Sequence, residues 1–232
     1  MSEYDIIQRK LNEIKNMGFI ETLRSGNTGV GHTLETLLGI KENNNSGPDF
    51  RGKELKATRD GCNSKISNFT LAPIWEKPIR EIISSYGKWD EEKQRYNFFP
   101  SLTCGSVNST GQTLKIDNKN VYAFCERTQT ILAEWCLAAL DFHQKRKLRK
   151  LILVKANARG RGKKEQFHYH TAHYYGSLKP DAFRGLLEGG KIVLEPRVWY
   201  DPKSGKIRDR GSAFRITANL IDELYDQKEK IL

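Results

Sequence analysis

The chain reads as an α/β (α+β) protein with a mixed β-sheet flanked by helices, and three observations lead there. Ile7, Leu11 and Ile14 recur at helical spacing near the start. Leu151-Ile-Leu-Val154 is an unbroken apolar run of strand length, the pattern of a strand covered on both faces. Alternating stretches such as Phe167-His-Tyr-His-Thr-Ala172, with Val121-Tyr-Ala-Phe-Cys125 as a further strand, interleave with amphipathic segments.

Each element has its own signal. A helix is expected over about 2–17, with Gly18 as its stop. The glycine-rich loop Gly26-Asn-Thr-Gly-Val-Gly31 feeds a short helix over 32–39. Asn43-Asn-Asn-Ser-Gly-Pro48 is a turn cluster, followed by a strand at Glu54-Leu-Lys56 and a partner strand at Asn68-Phe-Thr-Leu71. A second amphipathic segment covers 78–86, and the polar stretch 87–120 reads as hairpins and exposed loops. Residues 135–142 suit either strand or helix. A helix over 178–189, a strand over 192–199 and a short closing helix over 220–225 complete the pattern.

At 232 residues the chain can form one large domain or two lobes sharing a core. Lysine plus arginine number 39 against 28 acidic residues, a net charge of +11. That excess favours a polyanionic partner, nucleic acid or an anionic membrane surface. No apolar run approaches the roughly 20 residues that span a bilayer, so the membrane reading is weak. The opening Met-Ser-Glu-Tyr-Asp lacks the basic and apolar regions of a signal peptide, and a cytoplasmic protein is expected. Cys62, Cys104, Cys125 and Cys136 are widely spaced and read as reduced core thiols.

The chemistry concentrates in Pro48-Asp-Phe-Arg-Gly-Lys-Glu-Leu-Lys56. On a strand, Glu54 and Lys56 share a face while Leu55 points into the core. Asp49, entering from a turn, can converge on the same spot. Paired carboxylates bind a hard cation such as Mg²⁺, and a lysine beside them can place a water or stabilise charge on a phosphate. Glu-x-Lys occurs three times in the chain. Glu13-Ile-Lys15 falls on a helix, where residues two apart diverge, and Glu91-Glu-Lys93 falls in a solvated loop. Only the Glu54 copy has a strand context behind a Pro-Asp turn.

Other features are less specific. Glu35 lies on the short helix that Leu34, Leu37 and Leu38 anchor, and a third carboxylate there could ligate an ion or orient a water. The glycine loop lacks the Gly-Lys-Ser/Thr ending of a nucleotide-binding loop, yet its amides suit a DNA phosphate as well as they suit a plain turn. Basic clusters lie at Lys145–Lys150, Arg159–Lys164 and Arg208–Arg215. The first two read equally as solvated surface; the third, with an aspartate among arginines, suits guanine in the major groove. His168, His170 and His173 lack further ligands at zinc spacing.

Taken together, these residues resemble the MvaI/BcnI type II restriction endonucleases, relatives of the repair nickase MutH within the PD-(D/E)xK nucleases. The resemblance is carried by Gly26–Leu38, Glu42-Asn-Asn44, Pro48-Asp49, Glu54-Leu-Lys56, Leu71, Lys77-Pro78, Glu165-Gln-Phe-His168 and Asp209-Arg-Gly-Ser-Ala-Phe-Arg-Ile216, in the family's order. It implies a restriction-endonuclease-like core with two lobes around a DNA-binding cleft, residues 1–140 mainly catalytic and 141–232 mainly for recognition. Asp49, Glu54 and Leu55 match the Mg²⁺-binding positions, Lys56 the catalytic lysine and Glu35 the helix glutamate. Asp209, Arg210 and Arg215 match the recognition motif, with Glu195 and Arg197 on another reading strand. Arg208 stands where relatives carry histidine, and Ala213 leans towards an MvaI-type CCWGG target. The implied protein is a monomer that nicks the two strands of a CCNGG-type site in turn, partnered in function by a cognate DNA methyltransferase. The rivals are a MutH-like strand-specific nickase and a DNA-binding module with an inactive site.

Overall fold

The computed structural model describes residues 3–40, 48, 50, 52–61 and 63–232. In chain order the elements begin α1 (Glu3–Asn16), β1 (Ile20–Glu21), α2 (Gly29–Leu37), β2 (Glu54–Arg59), β3 (Lys65–Leu71), β4 (Ile74–Trp75) and α3 (Ile79–Tyr86). Then come β5 (Lys88–Asp90), β6 (Arg95–Phe98), β7 (Gln112–Ile116), β8 (Asn120–Cys125), β9 (Thr130–Cys136) and α4 (Leu137–Leu148). The chain closes with β10 (Lys150–Arg159), β11 (Gln166–Leu178), α5 (Ala182–Glu188), β12 (Ile192–Tyr200), β13 (Ile207–Thr217), a 3-10 helix (Ala218–Leu224) and β14 (Tyr225–Lys230). They group into two compact units. The first comprises Met1–Ile66, Lys145–Lys179 and Ala218–Leu232, the second Ser67–Gln144 and Pro180–Thr217.

In the first unit the sheet runs β1-β11-β10-β2, with β14 also on β11. All described pairings are antiparallel except β2 with β10. A parallel neighbour requires a long crossover. Here the connection is long enough to contain β3 to β9, which lie almost wholly in the second unit. One sheet face is apolar: Leu55, Ile152, Val154, Ala156, Phe167, Tyr169 and Ala172 pack against Ile7, Leu11 and Ile14 of α1 and Val30 and Leu34 of α2. The sequence placed the partner of β2 at residues 68–71. That segment is a strand, β3, but it pairs with β13, and β2 pairs with β10 instead. The apolar run of β10 explains the choice: Ile152 and Val154 extend the core face that Leu55 begins.

The second unit holds two sheets, β3-β13-β12-β6-β5 and β4-β9-β8-β7. Its core is aromatic. Phe69 stacks on Phe214 at 5.0 Å between ring centres, and Trp135 meets Phe214 edge-on at 6.1 Å. Trp135 is buried and its indole N–H donates to the Leu71 carbonyl at 3.1 Å, so no polar group is stranded there.

Several local expectations shift. Helix α2 starts at Gly29, earlier than expected, where a Cβ would collide with the Arg24 carbonyl. The ambiguous stretch 135–142 is both elements in succession: β9 ends at Cys136 and α4 begins at Leu137. Helix α5 is shorter than expected, because Leu178 still belongs to β11. The closing helix is of 3-10 type and is followed by β14, whose Asp226 to Lys230 are all exposed. A charged edge strand carries no apolar alternation to reveal it. Of the described cysteines only Cys125 is buried; Cys136 is exposed, and Cys62 lies outside the described residues. Among the described residues no helix is long and apolar enough to cross a membrane.

Leu34 is fully buried between helix and sheet. Leu34→Ala is expected to lower unfolding stability by about 2–5 kcal/mol through the cavity it leaves, measured as a shifted denaturation midpoint at unchanged slope.

Candidate active site

Strand alternation turns Glu54, Lys56 and Thr58 to the sheet face opposite Leu55. Glu54 is completely buried, at 0% exposure. Lys56 Nζ donates to Glu54 Oε1, and Lys147 Nζ, from the last turn of α4, approaches the same oxygen to 3.5 Å. An uncompensated carboxylate in such a place would cost several kcal/mol, so two ammonium groups on one oxygen are a strong local feature. Tyr225 closes the neighbourhood, its hydroxyl donating to the Leu148 carbonyl at 2.8 Å. Burial first, and then the charge of Glu54, hold its phenol protonated far above the usual range.

The registers carry this face across the sheet in rows. Glu54 stands opposite Leu151, then Tyr175 and Lys228; Lys56 opposite Leu153, then His173 and Lys230; Thr58 opposite Lys155, then Thr171. His170 lies at a register shift in β11, with Nε2 3.4 Å from Asp60 Oδ2, and Lys155 is 3.7 Å from the same carboxylate. His173 is held below its usual pKa, by burial first and then by Lys228. Beyond Glu54 the face is therefore rich in lysine and histidine. Among the described residues no group of three or more His, Cys, Asp or Glu side chains is placed to hold a metal.

β2 is the outer strand of its sheet. Asp60 N donates to the Ala156 carbonyl of β10, so alternation turns the backbone of Glu54, Lys56 and Thr58 towards β10. The Leu55 carbonyl then faces away from β10, an oxygen free of ladder pairing to that strand. Glu54 and Leu55 thus present hard oxygen donors of the kind a small divalent cation takes. Asp49, the other expected ligand, lies outside the described residues. Glu35 is half-buried on α2, where Leu34 and Leu38 anchor the helix, and its charge reaches the Tyr169 hydroxyl.

The glycine loop is tied to the end of β2. Arg59 makes a two-pronged pair with Glu165, Nε to Oε1 at 2.7 Å and Nη2 to Oε2 at 2.8 Å. The same guanidinium donates to the carbonyls of Gly26 at 3.0 Å and Asn27 at 3.3 Å. Tyr169, buried, donates to the Val30 carbonyl at 2.8 Å. The strand that carries Glu54 and the helix that carries Glu35 are thereby fixed to one another.

The expected recognition residues occupy β12 and β13 of the second unit. Val193 faces Arg215, Glu195 faces Ala213 and Trp199 faces Arg208. Between Pro196↔Ser212 and Val198↔Asp209 the register shifts by one residue, so Arg197 stands opposite both Arg210 and Gly211. Gly211 has φ +71°, and a Cβ there would lie 2.6 Å from Thr70 Cγ2. This bulge sets the phase of the strand. With it, Arg208 joins Arg215, Glu195 and Arg197 on the face opposite the core residues Leu194 and Phe214. Without it, Asp209 would take that place. Arg215 Nη1 donates to Glu195 Oε2 at 2.8 Å, and Arg197 Nη2 donates to Thr70 Oγ1 at 3.0 Å and to the Arg210 carbonyl at 3.3 Å. Asp209 Oδ1 accepts from Gly211 N at 2.6 Å and so pins the bulge. Burial, then the fields of Arg210 and Arg215, lower the Arg197 pKa. Such crowded guanidinium groups favour an anion.

The structure thus unites Glu54 with Lys56, and Glu195, Arg197, Arg208 and Arg215 on one face. Sequence reasoning missed Lys147, Arg59 and Thr70 as contributors. Lys147 sat in a basic cluster with no spacing to link it to Glu54. The parallel pairing supplies the link, since Leu151 lies beside Glu54 and Lys147, at the end of α4, precedes it by four residues.

The family model described as the MvaI/BcnI restriction endonuclease family matches residues 8–225. Two solved structures are similar over the whole chain. One is a restriction endonuclease MvaI–cognate DNA substrate complex, 25% identical, with TM-score 0.83 and 100% of both chains covered. The other is restriction endonuclease MvaI in the absence of DNA, 24% identical, with TM-score 0.58, covering 100% of this chain and 99% of that one. No curated protein matches the chain.

Removing the anionic partner of Arg59 should free the glycine loop. Glu165→Gln is expected to cost about 1–3 kcal/mol and to speed amide hydrogen exchange at Gly29 and Val30, read by mass spectrometry against the unaltered protein.

Proposed function

The chain belongs to the MvaI/BcnI restriction endonuclease family, a family of site-specific deoxyribonucleases, and on that premise we propose a Mg²⁺-dependent type II enzyme that cleaves both strands of duplex DNA at a CCNGG-type site. The observation that carries the reading is the fully buried Glu54 carboxylate with Lys56 on the same strand face. Asp49, Glu54 and the Leu55 carbonyl would hold the ion, with Glu35 completing the acidic set. When bound, the ion supplies positive charge to the scissile phosphate and acidity to a water. Lys56 orients that water and meets the negative charge that grows on the phosphate oxygens. Water oxygen bonds to phosphorus, the bond to the 3′ oxygen breaks, and the proton passes to the leaving oxygen. The products are a 5′-phosphate and a 3′-hydroxyl.

Recognition we assign to the face built from Glu195, Arg197, Arg208, Arg210 and Arg215, with Asp209 holding the bulge. Arginine reads guanine O6 and N7 with two parallel hydrogen bonds, which suits a site flanked by G·C pairs. Glu195 holds Arg215 in one orientation, as a bidentate reader requires. Lys155, Lys228 and Lys230, on the Glu54 face of the first sheet, suit sequence-independent phosphate contact. We assign catalysis to the unit that carries Glu54 and Lys56 and recognition to the unit that carries Glu195 to Arg215. We further assign a CCWGG-like target, a monomer nicking the strands in turn, cytoplasmic action and a cognate methyltransferase as the partner in function.

Lys56→Ala is expected to slow cleavage by on the order of 10²–10³-fold while specific DNA binding in Ca²⁺ persists; full cleavage would remove Lys56 from the chemistry. Arg210→Ala and Arg215→Ala should each lose about 1–3 kcal/mol of discrimination between cognate and altered sites, measured as the ratio of binding constants at fixed salt. Plasmid incubated with the protein and Mg²⁺ should become linear at discrete sites. Nicking confined to hemimethylated DNA would favour a repair nickase, and no cutting would favour a binding module.

A further inference from the structure

We propose that Lys147 is a charge placeholder at Glu54: its ammonium group compensates the buried carboxylate while no divalent ion is present, and it withdraws when an ion binds. The inference rests on the reading of Glu54 as an ion ligand, and it concerns what that carboxylate does before the ion arrives.

Two ammonium groups share one oxygen, Glu54 Oε1, and they are not equivalent. Lys56 sits two residues away on the same strand face and donates directly to that oxygen. Lys147 comes from another element and stands 3.5 Å off, while the two side chains are similarly exposed, 25% for Lys147 and 21% for Lys56. It therefore has the looser contact, and it is not tied to Glu54 through a shared strand. A divalent cation on Glu54 would bring a double positive charge within a few ångströms of both lysines, at the reduced dielectric of a part-buried site. That repulsion favours the departure of one ammonium. The residue on the helix end can leave without disturbing the strand, and the C-terminal turn of a helix stabilises a displaced cation. Glu54 itself gains from the arrangement. It is 0% exposed, and in the ion-free protein Lys147 helps hold it in place through the 3.5 Å contact. The cost is competition, since an ion must displace Lys147 before it can occupy the site fully. Lys147 is thus a positioning residue that sets the threshold for ion loading.

The test is Ca²⁺ binding by calorimetry on the full-length chain without DNA, together with thermal unfolding with and without saturating Ca²⁺. Lys147→Met keeps the stem and removes the charge. It should bind Ca²⁺ about tenfold more tightly, equivalent to ~1.4 kcal/mol, have a lower Tm without the ion and gain more Tm when Ca²⁺ is added. Lys147→Arg should stay near wild type in all three readouts. A folded Lys147→Met with unchanged or weaker Ca²⁺ affinity overturns the proposal and leaves an ordinary structural ion pair. If that variant does not fold, the lysine ammonium signals of the unaltered protein decide by NMR. The Lys147 signal should move towards its solvent-exposed position as Ca²⁺ saturates, and a signal that stays put overturns the proposal. Glu54→Gln separates this inference from the reading beneath it: wild-type Ca²⁺ affinity in that variant would remove Glu54 as the ligand, whatever Lys147 does.

Discussion

The parallel pairing of β2 with β10 is the constraint on which the first unit depends. It sets Leu55 beside Ile152 on the core face and Glu54 beside Leu151 on the other. It brings the end of α4, and with it Lys147, to the start of the strand that carries the acidic residue. It also aligns Lys56 with the buried Leu153 and, beyond it, His173. A hairpin partner for β2 would have joined neighbours in sequence and placed none of these groups together.

The second unit solves a different problem. Its sheet carries several guanidinium groups on one face and an aromatic core on the other. The bulge at Arg210 and Gly211 changes strand phase once, while Phe214 keeps its place against Phe69 and Trp135. Acidic partners then immobilise the arginines: Glu195 takes Arg215, and Asp209 secures the turn of backbone that Arg197 grips. Arginine immobilised in this way loses little freedom on meeting a planar acceptor.

Much of this was legible in the sequence where a residue's signal was local. The period of two at Glu54-Leu-Lys56 gave the shared face, and Leu34 and Leu38 gave the buried side of α2. Long apolar runs marked β10 and β12. What stayed hidden depended on distant pairing. β13 did not read as a strand, because Arg208, Asp209, Arg210 and Gly211 conceal its alternation behind charge and a bulge. β14 is a charged edge whose backbone, and not its side chains, holds it in place. The contact between Lys147 and Glu54 follows only from a parallel register across a long crossover, which no local period encodes. Asp49, prominent in the motif, lies outside the described residues.

The first unit is assembled from three separated stretches of chain, and this bears on the order of events during synthesis. β2 emerges from the ribosome early, but its neighbour β10 comes roughly ninety residues later, and Tyr225, beside Glu54, later still. Contacts so far apart in sequence form slowly, because the loop between them must close before they stabilise anything. A nascent chain that has made only the acidic motif therefore has no burial for Glu54 and no Lys147 beside it. The burial of Glu54 is therefore completed late, after nearly the whole polypeptide has been made.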